Sequence, residues 1–312
     1  MTSILILGAG AMGALFGGRL SRSLTDDWRV TLADIWPEHV AAMRDKGLEV
    51  TDEEGTRPVK VRAVLMDEVD EPFDFIMVFT KAQHTEGALE KARAAIGPET
   101  VLVSLQNGLG NKERLAKFAD PKRIIIGMTT YTSDLLGPGR IRTHGGGVTK
   151  LMSAYGAADD PALTAFSLAL ADSGLNGEID TGVEKQIWKK VGFNSAFNAL
   201  CAVTRLDCGR VGSTEEGQGL LFDVARECAA VAAACGVNLK GEEVIDLLKE
   251  SLHSHARHIP SMLQDVLAGR PTEIEALNGA VIRYAREHGV SVPINELIYK
   301  LVLAISGAKT EN

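Results

Sequence analysis

The chain has 312 residues, 45% hydrophobic and 24% charged, and this composition excludes an intrinsically disordered protein. At roughly 150 residues per domain, the length predicts two domains or one large one. With 33 basic and 41 acidic residues the net charge is −8, which together with the absence of a basic cluster argues against nucleic acid as a partner.

The lengths of the apolar stretches, the N-terminal sequence and the cysteines indicate the cellular compartment. No apolar stretch reaches the roughly 18 residues of a membrane-spanning helix, so we expect no membrane partner. The chain enters an apolar run directly after Ser3, without the charged region and cleavage site of a signal peptide. The four cysteines form no C-x-x-C pair, which favours reduced thiols. We therefore expect a cytoplasmic protein.

Short apolar runs alternate with helical patterns in the first half of the chain. Apolar runs without alternation are typical of strands buried on both faces of a parallel sheet, and the intervening helices favour a doubly wound α/β fold. The predicted strands centre on residues 4–7, 30–32, 75–79, 101–103 and 124–126, and the predicted helices cover about 12–22, 37–46 and 85–95.

Helical patterns dominate from about residue 181 onward. A long apolar-rich segment reaches about Leu206, and further helical patterns cover 215–235, 241–252, 261–267 and 272–288. We therefore predict an α/β domain at 1–180 and an all-helical domain at 181–312.

A glycine-rich turn follows the first predicted strand and opens a helix. Its sequence is Gly8-Ala9-Gly10-Ala11-Met12-Gly13, which is the G-x-G-x-x-G fingerprint of dinucleotide-binding turns in the required strand–turn–helix context. The first glycine permits the tight turn, the second lets the backbone approach a pyrophosphate, and the third allows close packing of helix on strand. The N–H groups at the helix start would bind the phosphates. The alternative is a glycine-rich turn without a ligand.

Asp34 stands at the end of the second predicted strand. An acidic residue there binds the adenosine ribose hydroxyls of NAD, whereas a 2′-phosphate would face a carboxylate with no Arg or Lys in residues 35–38. Asp34 therefore favours NADH over NADPH. The alternatives are a solvated loop acid, or a basic residue from elsewhere that reverses the preference.

Three polar residues are spaced by four along an apolar helical segment. Lys190, Asn194 and Asn198 line one face, and nearly every other position from 191 to 200 is apolar or small. Two amides and an ammonium are suited to orienting a substrate and to supplying a proton to the oxygen of a ketone during hydride addition. The alternative is a helix whose only solvated face is this row.

Several motifs in a fixed order resemble the ketopantoate reductase (2-dehydropantoate 2-reductase) family. Besides the glycine turn and the polar row they comprise Thr80-Lys81-Ala82, Gln106-Asn107-Gly108-Leu109-Gly110, Gly137-Pro138-Gly139, Ser261-Met262-Leu263-Gln264-Asp265 and Thr272-Glu273-Ile274-Glu275-x-x-Asn278-Gly279. The resemblance runs from the first strand to the last helices. It implies a Rossmann-type N-terminal domain, a helical C-terminal domain, an active site in the cleft between them, and an oxidoreductase of pantothenate biosynthesis that uses NAD(P)H to reduce a small branched 2-oxo acid.

The resemblance also implies roles for individual residues. Lys190 matches the general acid, and Glu273 matches a carboxylate near the nicotinamide ribose and the substrate, which we count with the catalytic groups. The implied substrate contacts are Asn194, Asn198, Ser261 and His258, and the implied cofactor contacts beyond the glycine turn and Asp34 are Lys81, Asn107, Ser133 and Glu273.

Four of these matched residues have ordinary structural alternatives. Lys81 and Asn107 follow apolar strands, where Lys and Asn-Gly often begin loops. Ser261 could simply start a helix, and Glu273 could complement a helix dipole.

Three departures from the family pattern bear on the cofactor and the substrate. Asp34 replaces the basic residue that NADPH-using members carry after the second strand. His258 occupies the place of a common substrate-binding Asn, and Cys208 stands roughly where a second substrate-side Asn can occur. A same-mechanism reductase of another 2-oxo or 3-oxo acid and a non-catalytic dinucleotide-binding relative therefore stay open. A homodimer also stays open.

The histidines at 253, 255 and 258 do not form a convincing metal site. On a helix His255 and His258 share a face but His253 does not, and no carboxylate or cysteine nearby completes a usual ligand set. We expect no metal.

Overall fold

The computed structural model describes residues 1–156, 159–254 and 257–307, which divide into two compact units. The first unit contains residues 1–106 and 111–183, and the second contains 107–110 and the chain from 184 on. The predicted α/β class with a helical second part is confirmed. The domain boundary at 180/181 stays a proposal; residues 107–110, which the sequence analysis placed in the first domain, group with the second unit.

The first unit contains an eight-stranded sheet and a four-stranded sheet. The larger sheet has the strand order β12-β11-β8-β7-β6-β1-β2-β5, and the smaller has the order β4-β3-β10-β9. The strands are β1 (Thr2–Leu7), β2 (Trp28–Asp34), β3 (Leu48–Asp52), β4 (Gly55–Val59), β5 (Arg62–Leu65), β6 (Phe75–Val78), β7 (Val101–Ser104), β8 (Ile124–Thr129), β9 (Thr132–Gly137), β10 (Arg140–His144), β11 (Thr149–Ser153) and β12 (Gly177–Ile179).

The larger sheet is parallel from β8 through β5, as predicted. Strand β1 is buried because both faces are covered, and Ile4, Leu5 and Ile6 are fully inaccessible. The chain places β2 on one side of β1 and β6 on the other, so the strand order reverses at β1, where open α/β sheets bind their ligands. Strand β11 pairs antiparallel with β8, which the sequence analysis did not predict.

The first two helices of the first unit follow the predicted bounds closely, and its last two helices were not predicted. They are α1 (Ala11–Ser23), α2 (Pro37–Lys46), α3 (Thr85–Lys91), α4 (Asn111–Leu115) and α5 (Pro161–Asp172). The third predicted helix is shorter than expected, since α3 ends at Lys91 and only a 3₁₀ turn, Arg93–Ala95, continues it. Helix α1 packs against both sheets, which fixes the helix start that follows the glycine turn.

The second unit is helical, as predicted. Its helices are α6 (Val183–Thr204), α7 (Cys208–Val211), α8 (Glu215–Ala234), α9 (Gly241–Ser254), α10 (Ser261–Leu267), α11 (Asn278–His288) and α12 (Pro293–Gly307). The prediction of a helix over 272–288 is wrong at its start, because residues 272–277 form a turn and α11 begins only at Asn278. Helices α6 and α8 each supply more of the buried apolar core of this unit than any of its other helices.

None of the helices within 1–156, 159–254 and 257–307 is long and apolar enough to cross a membrane. Cys201, Cys208 and Cys228 are buried, Cys235 is half-buried, and none of the four forms a disulfide within the described residues.

Candidate active site

The glycine turn joins β1 to α1, and two of its glycines are required by close packing. Gly8 has a φ of +96°, and a Cβ there would lie 2.9 Å from the Thr80 backbone nitrogen. A Cβ on Gly13 would lie 2.0 Å from the Gly8 carbonyl oxygen. By contrast, a Cβ on Gly10 would meet no atom of the described chain within 4 Å. The turn is therefore closed toward the sheet at Gly8 and Gly13 and open at Gly10.

The start of α1 fits the pyrophosphate of a dinucleotide. Gly10 precedes the first helical residue, Ala11, and no side chain of the described chain caps this helix start, whose first turn contains no acidic residue. The N–H groups of Ala11, Met12 and Gly13 have no acceptor within the helix, because the first intrahelical bond is donated by Ala14. Such N–H groups and the helix dipole favour an anion, and the open space beside Gly10 admits one.

Asp34 ends β2 and binds the glycine turn itself. Its half-buried carboxylate accepts the Ala9 N–H at Oδ2 (2.7 Å) and the Trp36 N–H at Oδ1 (3.0 Å). Each carboxylate oxygen can accept more than one hydrogen bond, so both retain capacity for a hydroxyl donor. Asp34 therefore fits a ribose diol, and in addition it holds the turn, which makes a merely solvated loop acid the wrong interpretation.

Two acidic residues follow the strand that pairs with the end of β2. Strand β5 lies beside β2, and the 3₁₀ turn that follows it contains Asp67 and Glu68. The nearby guanidinium of Arg44 donates to the Ala63 carbonyl oxygen (2.7 Å) and forms an ion pair with Glu68, where its hydrogen bond lowers the pKa of that carboxyl group. The Arg44 guanidinium is thus already paired with a carboxylate.

The loops after β6 and β7 are joined by a side chain that the sequence analysis did not single out. The Gln106 amide donates to the Thr80 carbonyl oxygen (2.6 Å) and to Thr85 Oγ1 (2.8 Å), and its oxygen accepts from the Ser104 hydroxyl (2.9 Å). Lys81 lies half-buried in the loop that Gln106 holds. The signal that could have identified Gln106 is its place directly after a buried strand, where parallel sheets present polar residues to ligands.

Ser133 lies in the smaller sheet rather than at the carboxyl edge of the larger one. It belongs to β9 and pairs with Thr143 of β10. Its hydroxyl oxygen is buried and has no hydrogen-bond partner within the described chain. Its predicted contact with the cofactor stays a prediction.

The predicted polar row lies in the middle of α6. Lys190 and Asn194 are half-buried, and Asn198 is buried, among the apolar residues through which α6 packs in the second unit. Spacings of four and eight residues place the three side chains on one face of this helix.

The Lys190 ammonium is electrostatically unusual. Burial in the protein lowers the pKa of Lys190 from 10.5 to about 8, and the Glu273 carboxylate partly opposes this by favouring the charged form. A lysine with a pKa near the working pH can give up a proton and regain it, which is what a general acid requires.

Glu273 lies in the turn that precedes α11. Its side chain is half-buried, and its carbonyl oxygen accepts the Ala276 N–H at 3.0 Å. Because α11 begins at Asn278, Glu273 is outside the first helical turn, and the alternative that it complements the helix dipole is wrong.

The Asn107 loop packs against the turn that carries Glu273. The Leu109 N–H donates to the Ala276 carbonyl oxygen at 2.9 Å, and a Cβ on Gly108, whose φ is +89°, would lie 2.3 Å from that same oxygen. The structure thus places Asn107 in the same unit as Lys190, although the sequence analysis assigned it to the dinucleotide-binding domain.

His258 and Ser261 lie in an exposed segment at the start of α10. Ser261 is the first residue of α10, after Pro260, so it does start a helix. The His258 carbonyl oxygen accepts the Cys208 N–H at 3.2 Å, which brings the two positions that depart from the family pattern together in the backbone. Cys208 itself is buried.

A search of the described residues finds no group of three or more His, Cys, Asp or Glu side chains that could hold a metal ion. His255, one member of the histidine set considered above, lies outside the described residues.

Comparison with known proteins identifies the family. The sequence model described as ketopantoate reductase PanE/ApbA matches residues 4–155, and the one described as its C-terminal domain matches residues 182–306. A 2-dehydropantoate 2-reductase of Streptococcus pyogenes serotype M3 is 33% identical over 307 residues, covering 96% of this chain and 97% of the relative.

Solved structures agree with this relationship. A ternary structure of D-mandelate dehydrogenase with NADH and anilino(oxo)acetate superposes with a TM-score of 0.91 at 32% identity, covering 98% of this chain and 99% of the other. A PanE/ApbA family ketopantoate reductase from Ralstonia eutropha JMP134 gives a TM-score of 0.88 at 29% identity, with the same coverage. The resemblance inferred from the ordered motifs is confirmed: the chain belongs to the ketopantoate reductase family.

Proposed function

We propose that this protein reduces a small branched 2-oxo acid to the 2-hydroxy acid with NAD(P)H, and that 2-dehydropantoate is the first candidate substrate. The observation that carries the proposal is the face of α6, where a lysine with a pKa of about 8 precedes two amides at successive helical turns. The relatives named 2-dehydropantoate 2-reductase, at 31–33% identity over nearly the whole chain, support this substrate.

In the proposed reaction the cofactor would provide the hydride and residues of the chain provide the proton. The bound nicotinamide would supply the hydride to the carbonyl carbon of the 2-oxo acid. Lys190 Nζ donates a proton to the carbonyl oxygen as negative charge develops there, and the neutral amine then regains a proton from water. Glu273 favours the charged form of Lys190 and so helps to keep the proton donor protonated.

The substrate contacts follow from donor chemistry. The Asn194 and Asn198 amides each offer N–H donors and a carbonyl acceptor, which suit a hydroxyl and a carboxylate oxygen. Ser261 adds a hydroxyl for the substrate carboxylate, and His258 adds a ring that can donate to it. Asn107 would contact the cofactor, as would Lys81, Ser133 and Glu273.

A second candidate substrate is a larger, aromatic 2-oxo acid. It is favoured by the similarity to D-mandelate dehydrogenase, whose solved complex contains NADH and anilino(oxo)acetate, and by His258 and Cys208 where the family commonly has Asn. The mechanism would be the same, since Lys190 acts on the carbonyl that both substrates share.

Initial rates with a panel of 2-oxo acids distinguish the two candidates. The panel contains 2-dehydropantoate, a second branched aliphatic 2-oxo acid and phenylglyoxylate, each measured with NADH and with NADPH. We expect kcat/KM to be highest for 2-dehydropantoate. A preference for phenylglyoxylate by tenfold or more, about 1.4 kcal/mol, would favour the aromatic candidate, and no turnover of any acid would refute the proposed function.

We further propose that NADH is the preferred cofactor, by roughly tenfold or more in kcat/KM. Charge-assisted bonds from two ribose hydroxyls to Asp34 and the paired state of Arg44 support this preference. Asp34→Arg should raise the ratio of NADPH to NADH activity, and because it also removes the acceptor of the Ala9 N–H, both activities should fall. Asp67→Arg is the matched control, since it adds the same charge nearby without touching the turn. A wild-type preference for NADPH would refute this interpretation of Asp34.

A further inference from the structure

A buried histidine on α2 contacts Ala9, the residue of the glycine turn that Asp34 also binds. His39 is fully inaccessible to solvent, and its Nε2 lies 2.8 Å from the Ala9 carbonyl oxygen. The Ala9 N–H is held by Asp34 at 2.7 Å. Both polar backbone atoms of Ala9 are therefore bound by side chains, one from the last residue of β2 and one from α2.

The second ring nitrogen of His39 settles which tautomer is present. The Gly139 N–H donates to His39 Nδ1 at 2.9 Å, so Nδ1 must offer a lone pair. In a neutral imidazole the other nitrogen then carries the hydrogen, and Nε2–H donates to the Ala9 carbonyl oxygen. The ring thus joins the glycine turn to the turn between β9 and β10.

The ring has little freedom to move. The indole of Trp36 stacks on His39 with centroids 5.4 Å apart and planes 7° from parallel. Gly139, which donates to the ring, lies in the turn between β9 and β10 and has a φ of +67°. A Cβ at Gly139 would lie 2.8 Å from the Ala42 Cβ, so this turn packs closely on α2. Stacking and packing hold the donor nitrogen in one place.

We propose that His39 is a positioning residue for the dinucleotide, which it orients through the Ala9–Gly10 peptide. A peptide unit is planar and trans, so its carbonyl oxygen and its N–H point in opposite directions. When His39 fixes the Ala9 oxygen, it also fixes the direction of the Gly10 N–H, at the open side of the turn where the pyrophosphate fits. The inference rests on the proposed function, because it assumes that a dinucleotide binds there.

Two conservative variants separate the two hydrogen bonds of the ring. Glutamine at position 39 places an amide near the Nε2 position and can still donate to the Ala9 oxygen, whereas asparagine reaches only the Nδ1 position and can accept from Gly139. Leu163→Ala is the matched control, because it removes buried core volume of the first unit on α5 without contacting the turn. Each variant is titrated with NADH and with NADPH by fluorescence, and its Tm is measured.

We expect His39→Asn to weaken binding of the preferred cofactor by about tenfold, equivalent to about 1.4 kcal/mol, and His39→Gln to stay within about threefold of wild type. KM for the cofactor should rise in His39→Asn while kcat at saturating cofactor changes little. Leu163→Ala should lower Tm without changing cofactor affinity, which separates positioning from stability.

Each outcome bears on a different claim. Wild type that binds neither dinucleotide would refute the proposed function together with this inference. If the wild-type protein binds one dinucleotide and His39→Asn binds it as tightly, only the role of His39 is overturned. Equal losses of affinity in His39→Asn and His39→Gln would overturn it as well. The tautomer is tested without any variant, by the ¹⁵N chemical shifts of the His39 ring in the wild-type protein. A protonated Nε2 is expected, and a protonated Nδ1 would overturn the inference.

Discussion

Replacing Lys190 by methionine should stabilise the folded protein while removing its activity. The pKa of Lys190 falls from 10.5 to about 8 because the ammonium is desolvated, so the folded chain holds this charge at an energetic cost. At 1.36 kcal/mol per tenfold change in proton affinity, the upper bound on that cost is about 3 kcal/mol. Methionine retains most of the side-chain volume without the charge, so the free energy of unfolding at pH 7 should rise by about 1–3 kcal/mol.

The gain in the free energy of unfolding of Lys190→Met should decrease as the pH rises. Between pH 8 and 10.5 the unfolded chain binds more protons at Lys190 than the folded chain, so this residue makes wild-type stability rise over that window. The advantage of Lys190→Met should therefore be largest below pH 8 and vanish above about pH 10.5. Urea denaturation at pH 7 and pH 10 measures it, with Lys189→Met, one residue earlier on the helix, as control.

The same variant should lose at least about two orders of magnitude in kcat, the usual contribution of a general acid. Lower stability of Lys190→Met than of wild type at pH 7, with an unaffected control, would refute the desolvation argument. Near-normal turnover in the folded variant would remove Lys190 from the mechanism.

Further predictions concern the substrate amide, the glycine turn and the pH profile. Asn198→Ala should raise KM for the 2-oxo acid by about tenfold with kcat within about threefold, as steady-state rates will show, because an orienting amide binds ground and transition states alike. Gly13→Ala should lower both Tm and cofactor affinity, because its Cβ would lie 2.0 Å from the Gly8 carbonyl oxygen. Gly10→Ala should keep the wild-type Tm and weaken only cofactor binding, as measured by fluorescence titration. The rate of reduction should fall above about pH 8, approaching tenfold per pH unit, as Lys190 loses the proton that it donates; a flat profile to pH 10 would contradict this.

The sequence predicts the first unit well where burial is strongest. Strand β1 and the glycine turn are recognisable because five successive buried residues precede glycines that packing requires at positions 8 and 13. The smaller sheet escapes prediction because none of its strands contains a continuous buried run: most residues of β4 and β9 are exposed, and buried residues alternate with more exposed ones in β10 and at the start of β3.

Tertiary contacts decide what the sequence pattern leaves open in the second unit. The row on α6 follows from helical spacing alone, but the pKa of Lys190 depends on surroundings that periodicity does not contain. Helix α11 starts late because the Asn278 side chain is buried and donates to the Ser195 carbonyl oxygen and to Asn295 Oδ1, which fixes this residue as the first of the helix. Local propensity alone would extend the helix into the preceding turn.

The role of His39 is also invisible in the sequence. A histidine near the start of a short helix with a mostly polar sequence is typical of a solvated surface, and only the fold brings it to Ala9 and Gly139, which lie 30 and 100 residues away.

The central claim, hydride transfer from a nicotinamide to a 2-oxo acid, is tested most directly by isotope transfer. The wild-type protein is incubated with 2-dehydropantoate and NADH deuterated at C4 of the nicotinamide, in both stereoisomers, and the product is examined by mass spectrometry and NMR. The account predicts a 2-hydroxy acid with deuterium at C2 from one stereoisomer only, formed at least about a hundredfold more slowly with Lys190→Ala. Absence of deuterium at C2, or no oxidation of NADH or NADPH with any 2-oxo acid of the panel, would contradict it.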